Sequence, residues 1–400
     1  MAYTIFDLFC GTGGFSHGIE SAQKDAFETR LGVDILAPSL ETFVANHKNA
    51  VPIRRDLRRL SCKEVAELTG LGRGEVDVIV GGPPCQGFSS IRPFRSTNND
   101  DPRNTLFEQF ANFVNYFRPK VLVMENVVGL ATHQNGEVLT HITECFEQLG
   151  YSCDWRILNA ANFGVPQRRE RLILVGANEG ARVAFPRPTH ESRGATIGFR
   201  ERSRMVATDD LPLFRSRDPL APPVTVMDAI DDLPPVESGG SATLYRRKPR
   251  TTYQTERRNG AKALTLHDST KHTPKMLEII RHAGANISCI PRHLISSGFS
   301  SCYSRLDGAT TSVTITVNFV HPASNRCIHP KLNRALTPRE GARLQSFDDT
   351  FVFCGTRSQI VKQIGNAVPP LLGRAVGGAI LEMLEGAAAA HPLRTAVGGR

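Results

Sequence analysis

The sequence predicts an α/β fold in which a doubly wound, mostly parallel sheet is joined to a second, smaller and irregular domain. Up to about residue 180, short apolar runs alternate with segments of helical periodicity, which is typical of βαβ units. Beyond that point prolines interrupt the periodicity, and helical spacing returns near residue 338. We therefore predict a first domain at 1–180, a second at 181–335, a segment at 336–390 that returns to the first domain, and a frayed tail at 391–400.

Each element is predicted from its own apolar pattern. Short apolar runs bounded by turn residues predict the strands Thr4–Phe9, Leu31–Asp34, Val76–Val80, Val121–Met124, Trp155–Leu158 and Leu172–Gly176. Apolar residues at helical spacing predict the helices Ser39–His47, Thr105–Phe117, Glu137–Leu149, Pro338–Ser346 and Gln359–Leu384.

Composition and charge exclude several classes of protein. The nine cysteines form no CxxC pair, so we predict neither a disulfide framework nor a metal site. No uninterrupted apolar stretch approaches the ~18 residues of a membrane span, and we expect a cytoplasmic protein. The net charge is +9, and residues 181–310 hold 20 basic and 13 acidic side chains. A basic segment fits a polyanion partner, although a solvated basic surface would have the same composition.

A glycine-rich turn follows the first strand, in the segment DLFCGTGGF. Gly11, Gly13 and Gly14 would let the backbone approach a ligand closely at the carboxyl edge of the sheet. Asp34 ends the second strand, where it could accept hydrogen bonds from the hydroxyls of a ribose. Asp56 ends the next apolar stretch. The GxGG spacing is not the full dinucleotide fingerprint, so a nucleoside cofactor with little or no phosphate fits better than NAD. The alternative is a turn that only packs helix on strand.

A second cluster is predicted where two later strands end. Cys85 follows the segment Gly-Gly-Pro-Pro, a stiff turn that would project the thiol from the sheet edge. Glu125 and Asn126 end the apolar strand of KVLVMENVV at the same edge, where a carboxylate must be paired or used because its desolvation is costly. A thiolate needs nearby positive charge, and the arginines of GVPQRRERL precede the next strand. The alternative is an ordinary core cysteine after a loop.

Together these segments resemble the DNA (cytosine-5)-methyltransferase family of the bacterial restriction-modification type. The motifs DLFCGTGGF, GGPPCQGFS, MENV, QRRERL, RALTPREGARLQSF and QIGNAVPP occur in the family's order and cover essentially the whole chain. One departure is Asp348, which stands where the family usually has proline. The resemblance implies the fold of S-adenosylmethionine-dependent methyltransferases, with 181–335 as the target-recognition domain.

The resemblance also implies a role for each motif. Cys85 would be the nucleophile, Glu125 would hold the N3 edge of cytosine, and Arg171 would contact the cytosine carbonyl. The residues implied to bind S-adenosylmethionine are Phe9, Gly11, Gly13, Gly14, Asp34, Asp56 and Asn366. The residues implied to bind the substrate are Gln86, Ser89, Asn126, Gln167 and Arg169, and Arg169 would grip a phosphate beside the displaced nucleotide.

The implied reaction transfers a methyl group from S-adenosylmethionine to C5 of a flipped-out cytosine in a short, specific sequence of double-stranded DNA, through a covalent bond between Cys85 and C6. Two alternatives stay open: an RNA (tRNA) cytosine-5 methyltransferase on the same scaffold, and a catalytically silent DNA-binding regulator. A basic stretch favours duplex DNA; its members are Arg246, Arg247, Lys248, Arg250, Arg257, Arg258 and Lys262. We expect a bacterial monomer on the nucleoid, compatible with a cognate restriction endonuclease of the same target.

Overall fold

The computed structural model describes residues 2–84, 106–178, 182–192, 205–206, 219–295 and 298–390. Its strands are β1 (Tyr3–Leu8), β2 (Phe27–Asp34), β3 (Val51–Arg54), β4 (Val78–Gly81), β5 (Val121–Asn126), β6 (Tyr151–Asn159), β7 (Glu170–Asn178) and β8 (Met205–Val206). Within these ranges they form an eight-stranded sheet of order β3-β2-β1-β4-β5-β7-β6-β8. The helices of the first half are α1 (Gly14–Glu20), α2 (Ala37–Asn46), α3 (Cys62–Thr69), α4 (Leu106–Phe117), α5 (Gly129–Thr132) and α6 (Glu137–Gln148). Those of the second half are α7 (Val226–Ile230), α8 (Thr252–Arg258), α9 (Pro274–Arg281), α10 (Pro338–Leu344), α11 (Arg357–Asn366) and α12 (Pro370–Ala390).

Helices cover both faces of the sheet, as a doubly wound fold requires. On one face, strand residues such as Phe6 and Leu122 pack with the apolar sides of α3, α4 and α6. On the other face, Ile5 and Val123 pack with α1 and α12. Because neighbouring strand residues point to opposite faces, each central strand contributes to both cores and reads as a continuous apolar run. The predicted fold class is confirmed.

Strand β7 departs from the parallel arrangement. It runs antiparallel to both β5 and β6, whereas β1, β2, β3, β4 and β5 are mutually parallel. The amino end of β7 therefore lies at the edge of the sheet where the parallel strands end. This reversal carries the arginine-rich segment before β7 to that edge.

Several short elements were not predicted from the sequence pattern, namely β3, β8, α3, α5, α7, α8 and α9. Strand β3 has only four residues, of which one is buried, and α3 buries only Val65 and Thr69. The predicted helix Gln359–Leu384 is wrong in one respect, because the chain forms two helices there, α11 and α12, separated at 367–369. Pro369 explains the break, since a proline disfavours helical backbone in the residue before it and clashes with the preceding turn.

Helix α12 lies directly on α1, so the end of the chain packs against its beginning. A Cβ added at Gly18 would lie 2.2 Å from the carbonyl oxygen of Pro370, and one at Gly373 would lie 2.6 Å from that of Phe15. Only glycine fits such a contact between helix backbones. Gly373 and Gly377 of this helix therefore serve close packing.

The residues between 224 and 367 share a separate apolar core. Inside it the guanidinium groups of Arg334, Arg339 and Arg343 are buried beside α10. Arg334 pairs with Glu340 at 2.7 Å, and Arg343 pairs with Asp349 at 2.6 Å. Burying these charges is tolerated because each guanidinium meets a carboxylate and backbone carbonyls.

No single helix in the described ranges is long and apolar enough to cross a membrane. Among the described residues, one bent pair of helices, Arg357–Asn366 and Pro370–Gly386, passes such a test by length and composition alone.

Candidate active site

The parallel strands end at a common level and bring their following residues side by side. Leu8 at the end of β1 pairs with Gly81 at the end of β4, and Gly81 pairs with Met124 in β5. The next residues along each strand therefore meet at the carboxyl edge of the sheet, the usual ligand-binding edge of such folds. Two of them, Gly82 and Glu125, belong to the predicted catalytic motifs.

Glu125 forms an ion pair with Arg171 at this edge. The Nε atom of Arg171 lies 2.7 Å from Oε1 of Glu125, and the two side chains are only 15% and 14% exposed. Glu125 pairs with Ile173 across the antiparallel ladder, so Arg171, two residues earlier in β7, points to the same face. The second carboxylate oxygen, Oε2, faces Gly82, where an added Cβ would lie 3.0 Å from it. The carboxylate that the sequence required to be paired or used is paired.

Asn126 holds the turn that leads to Cys85. Its Nδ2 donates to the carbonyl oxygen of Pro83 at 3.0 Å, and its Oδ1 accepts from the backbone of Val127 at 2.9 Å. The side chain is buried, so in this structure it acts on the Gly82–Pro84 turn. Cys85, Gln86 and Ser89 lie outside the described residues, which end at Pro84 and resume at Leu106.

The glycine turn after β1 has one filled side and one open side. Gly13 has φ +76°, and an added Cβ would lie 2.6 Å from Nε2 of His47. At Gly11, φ +53°, no heavy atom of the described residues lies within 4 Å of an added Cβ. Phe9, before the turn, also has a positive φ of 65°. The backbone at Gly11 is therefore accessible to a ligand, while Gly13 is needed for packing against His47.

The two predicted cofactor acids have different surroundings. Asp34 accepts from the backbone N–H of Gly11 at 2.9 Å and of Leu36 at 2.7 Å. Burial raises the pKa of the Asp34 carboxyl, against the lowering effect of these bonds. Asp56 is bound by Arg58, whose Nη2 lies 2.6 Å from Oδ2, and this guanidinium lowers the Asp56 pKa. Asp34 is thus tied to the glycine turn, whereas a ligand at Asp56 must compete with Arg58.

Asn366, the last residue of α11, is exposed, and its carbonyl oxygen lies 3.4 Å from a guanidinium nitrogen of Arg169.

Two residues predicted to bind the substrate, Arg169 and Gln167, are buried and bonded to other parts of the protein. Arg169 is 2% exposed and donates to the carbonyl oxygens of Ile315 at 3.0 Å and Gly365 at 3.1 Å. Gln167 is fully buried, donates to Gln345 Oε1 at 2.8 Å and accepts from the backbone of Ile315 at 2.7 Å. Both side chains therefore connect the segment before β7 to Ile315, and they also reach the end of α10 and helix α11. Such contacts are expected because buried polar atoms need hydrogen-bond partners. Burial of Arg169, with Arg171 nearby, also lowers its pKa far below the usual value.

The basic stretch at 246–262 contributes less free charge than the sequence suggests. Arg257 is buried and pairs with Asp348 at 2.8 Å, while Arg258 pairs with Asp232 at 2.7 Å. Helix α8 turns both arginines inward, so these two members of the basic stretch are not free to contact DNA. The ion pair with Arg257 explains why an aspartate is accommodated at position 348, the departure noted in the sequence. Asp348 also accepts a hydrogen bond from Asn259 at 3.0 Å.

Sequence reasoning missed a buried polar cluster under the glycine turn. Asp7 in β1 is 2% exposed and accepts from Ser16 Oγ at 2.7 Å. Burial raises its pKa to about 7. A single acid inside the apolar run TIFDLF was the available indication, since an isolated buried carboxylate is costly.

The raised pKa of Asp7 predicts a pH-dependent stability. The folded state holds this proton more tightly than the unfolded chain, so the contribution is full below pH 3.8 and is lost as pH rises through about 7. Each pKa unit corresponds to about 1.4 kcal/mol, so ionisation at pH 8 costs on the order of 4 kcal/mol. Asp7→Asn should remove this decline when unfolding by urea is compared at pH 5 and pH 8. If the free energy of unfolding of Asp7→Asn falls between pH 5 and pH 8 as much as that of the unmodified protein, the raised pKa of Asp7 is contradicted.

Comparison with known proteins identifies the family of this chain. The family model for C-5 cytosine-specific DNA methylases matches residues 3–382. The chain belongs to this family. Type II methyltransferase M1.HphI of Haemophilus parahaemolyticus is 35% identical to the methylase over 386 residues, covering 96% of this chain and 88% of that protein. Type II methyltransferase M.AgeI of Thalassovita gelatinovora is 32% identical over 437 residues, with coverages of 92% and 97%.

The fold has a solved counterpart. A structure described as a DNA modification methyltransferase encoded within an Escherichia coli prophage has a TM-score of 0.71 at 22% identity, covering 96% of this chain and all of that one. The methylase is thus a DNA (cytosine-5) methyltransferase with S-adenosylmethionine as its methyl donor. The predicted enzyme class and cofactor are confirmed.

Proposed function

We propose that the methylase modifies a flipped-out cytosine in a short, specific sequence of double-stranded DNA, through a covalent bond between Sγ of Cys85 and C6 of the ring. The observation that carries this proposal is the Glu125–Arg171 ion pair beside the Gly82–Pro84 turn. It supplies one carboxylate and one guanidinium at the point where the chain continues to Cys85. Base flipping is required because C6 is stacked inside a duplex.

The residue types match the chemistry of the step. The Cys85 thiolate adds to C6, and the electron pair of the C5–C6 bond makes C5 nucleophilic towards a methyl group. Glu125 shares a proton with N3 through Oε2, which faces the turn, and so stabilises the charge that develops there, while Arg171 stabilises the charge at the ring carbonyl. After C5 displaces the methyl group from the sulfur of the donor, the C5 proton is lost to water and the electron pair left behind expels the Cys85 thiolate, which restores the aromatic ring. Asn126 positions the turn through Pro83.

The glycine turn fits a nucleoside-bearing donor. Gly11 leaves open space on its ligand side, and Asp34 presents a carboxylate next to it. We assign Phe9, Gly11, Gly13 and Gly14 to the pocket wall and Asp34 to the ribose. Asp56 would take the adenine amino group in exchange for Arg58, and Asn366 would support the loop between donor and catalytic turn. When bound, S-adenosylmethionine supplies a methyl group activated by its sulfonium.

The assembly around the site is also proposed. We assign target recognition to 181–335, where the unpaired part of the basic stretch lies, and expect a bacterial monomer on the nucleoid in the cytoplasm. A restriction endonuclease that cleaves the same unmethylated sequence would be its functional partner, because M1.HphI and M.AgeI, to which the chain is similar, are Type II methyltransferases.

Arg168, between the inward-pointing Gln167 and Arg169, is our candidate for the phosphate contact. Its side chain is exposed, while its carbonyl oxygen accepts from Thr314 Oγ1 at 2.8 Å. Arg168→Ala should reduce the slope of log affinity against log salt by about 0.9, the value for one phosphate contact. Arg169→Met should leave that slope unchanged and lower stability instead. Fluorescence anisotropy with labelled duplex DNA between 50 and 200 mM salt, a range over which ~6–10 contacts change affinity by orders of magnitude, measures both. If Arg169→Met reduces the slope and Arg168→Ala does not, Arg169 makes the phosphate contact instead.

Transfer of radiolabelled methyl groups to unmethylated duplex DNA tests the function, followed by mapping of 5-methylcytosine at single-base resolution. Marks at one short sequence are expected. Incorporation into tRNA but not DNA would support the RNA alternative, and absence of transfer to both would support a silent DNA-binding protein.

A further inference from the structure

A buried histidine lies behind the glycine turn. His47 caps the carboxyl end of α2 and is 4% exposed, with its ring stacked on Phe43 at a centroid distance of 4.5 Å. Its Nε2 lies 3.2 Å from the carbonyl oxygen of Gly13, and its Nδ1 lies 3.2 Å from Oε2 of Glu20. The imidazole thus connects the glycine turn to the end of α1.

Both partners of this ring are hydrogen-bond acceptors. Nε2 must carry a proton to donate to the Gly13 carbonyl, and Nδ1 must carry one as well, because a bare ring nitrogen would repel the Glu20 carboxylate oxygen 3.2 Å away. The ring is then an imidazolium, and its charge is compensated by Glu20. Glu20 is held in place by the backbone N–H of Thr29 at 2.7 Å. A neutral ring loses the ion pair with Glu20 or the hydrogen bond to Gly13.

The His47 ring constrains the glycine turn because it packs directly against Gly13. An added Cβ at Gly13 would lie 2.6 Å from Nε2 of His47, so the ring fills the volume behind the turn. Gly13 also caps the amino end of α1, with His17 N donating to its carbonyl at 2.8 Å. A shift of the Gly13 carbonyl therefore moves the backbone between Gly11 and Gly14.

We propose that His47, as an imidazolium held by Glu20, is a positioning residue for the methyl donor, because it fixes the glycine turn against which the donor binds. This rests on the proposed placement of the donor at that turn. Affinity for the donor then falls as His47 loses its proton.

The charged groups around His47 determine the pH at which it loses its proton. Glu20 and Asp7 raise the pKa of His47 above its ordinary value, against the lowering effect of burial. Asp7 lies on β1 and is influenced in turn by Asp34 of β2, so ionisation of Asp7 further favours the imidazolium. His17 on α1 has its ring centroid 6.1 Å from that of His47, and burial lowers its pKa to about 4, with further lowering by the charges of His47 and of Arg257 on α8. His17 is therefore neutral at physiological pH and provides a matched control.

Calorimetric titration with S-adenosylmethionine between pH 6 and 9 tests the proposal. In the unmodified methylase, affinity should be constant on the acidic side and fall above the His47 pKa. His47→Gln should bind about tenfold more weakly on the acidic side, the scale of one charge-assisted hydrogen bond, and should show no such fall. The two proteins should converge at high pH. His17→Gln should keep the profile of the unmodified protein, and Glu20→Gln should move the midpoint to lower pH.

Steady-state kinetics separates positioning from general damage. His47→Gln should raise KM for S-adenosylmethionine while kcat at saturation stays within about twofold, the pattern of lost binding without lost transition-state contacts. Asp34→Ala should weaken donor binding at every pH. If Asp34→Ala has no effect, the donor does not bind at this turn and the proposed placement fails. If Asp34→Ala weakens binding but His47→Gln keeps the affinity and pH profile of the unmodified protein, only the role of His47 is overturned.

Discussion

Cys85→Ser is expected to abolish methyl transfer while leaving DNA binding intact. A hydroxyl is a far poorer nucleophile than a thiolate for addition to C6, and loss of a catalytic nucleophile lowers turnover by about 10⁴-fold or more. Single-turnover transfer of labelled methyl groups to duplex DNA measures the loss, and anisotropy measures binding. Retention of normal turnover would rule out the covalent mechanism.

Cys62→Ser is the matched control for this variant. Cys62 is half-buried at the start of α3, and burial raises its thiol pKa to about 11, so it contributes little thiolate at neutral pH. This variant should retain full activity. Duplex DNA with 5-fluorocytosine at the target adds a direct test, because fluorine at C5 cannot leave as a proton does and the adduct persists. Denaturing gels should show an adduct with the unmodified protein and Cys62→Ser; an adduct with Cys85→Ser would identify another thiol.

Arg343→Met is expected to produce the largest loss of stability. The Arg343 guanidinium is fully buried, with Nε 2.7 Å from Oδ1 and Nη2 2.6 Å from Oδ2 of Asp349, and Nη1 3.4 Å from Asp232. Its removal leaves carboxylates buried without full compensation, which costs about 3–5 kcal/mol. That is a large part of a typical folding free energy of about 5–15 kcal/mol. Urea unfolding at pH 7 measures the difference.

Two further variants give this prediction its control. Arg55→Met removes an exposed ion pair with Glu64, also at 2.6 Å, and should cost less than about 1 kcal/mol. Adding Asp349→Asn to Arg343→Met should recover part of the loss, because it removes the uncompensated charge. Equal losses for Arg343→Met and Arg55→Met would contradict the importance of burial.

Local pattern was enough to predict much of the fold. Runs such as Val121–Met124 predicted the central strands because a buried parallel strand must be apolar on both faces. The elements with few buried residues, β3 and α3, left too weak a pattern. The antiparallel direction of β7 was not predicted either, since its apolar run reads the same in both directions.

The sequence by itself determined the order of the motifs and the family, and it supplied the catalytic residues that we propose, because these depend on residue type and spacing. Only the tertiary structure decided which charged side chains are free to act. Arg168 faces solvent while Arg169 is buried among carbonyl oxygens, and Arg257 and Arg258 are paired within the fold. It also brought His47 of α2 against the glycine turn, 34 residues away along the chain. The physical reason is that exposure and pairing depend on how distant segments pack, which neighbours in the sequence do not specify.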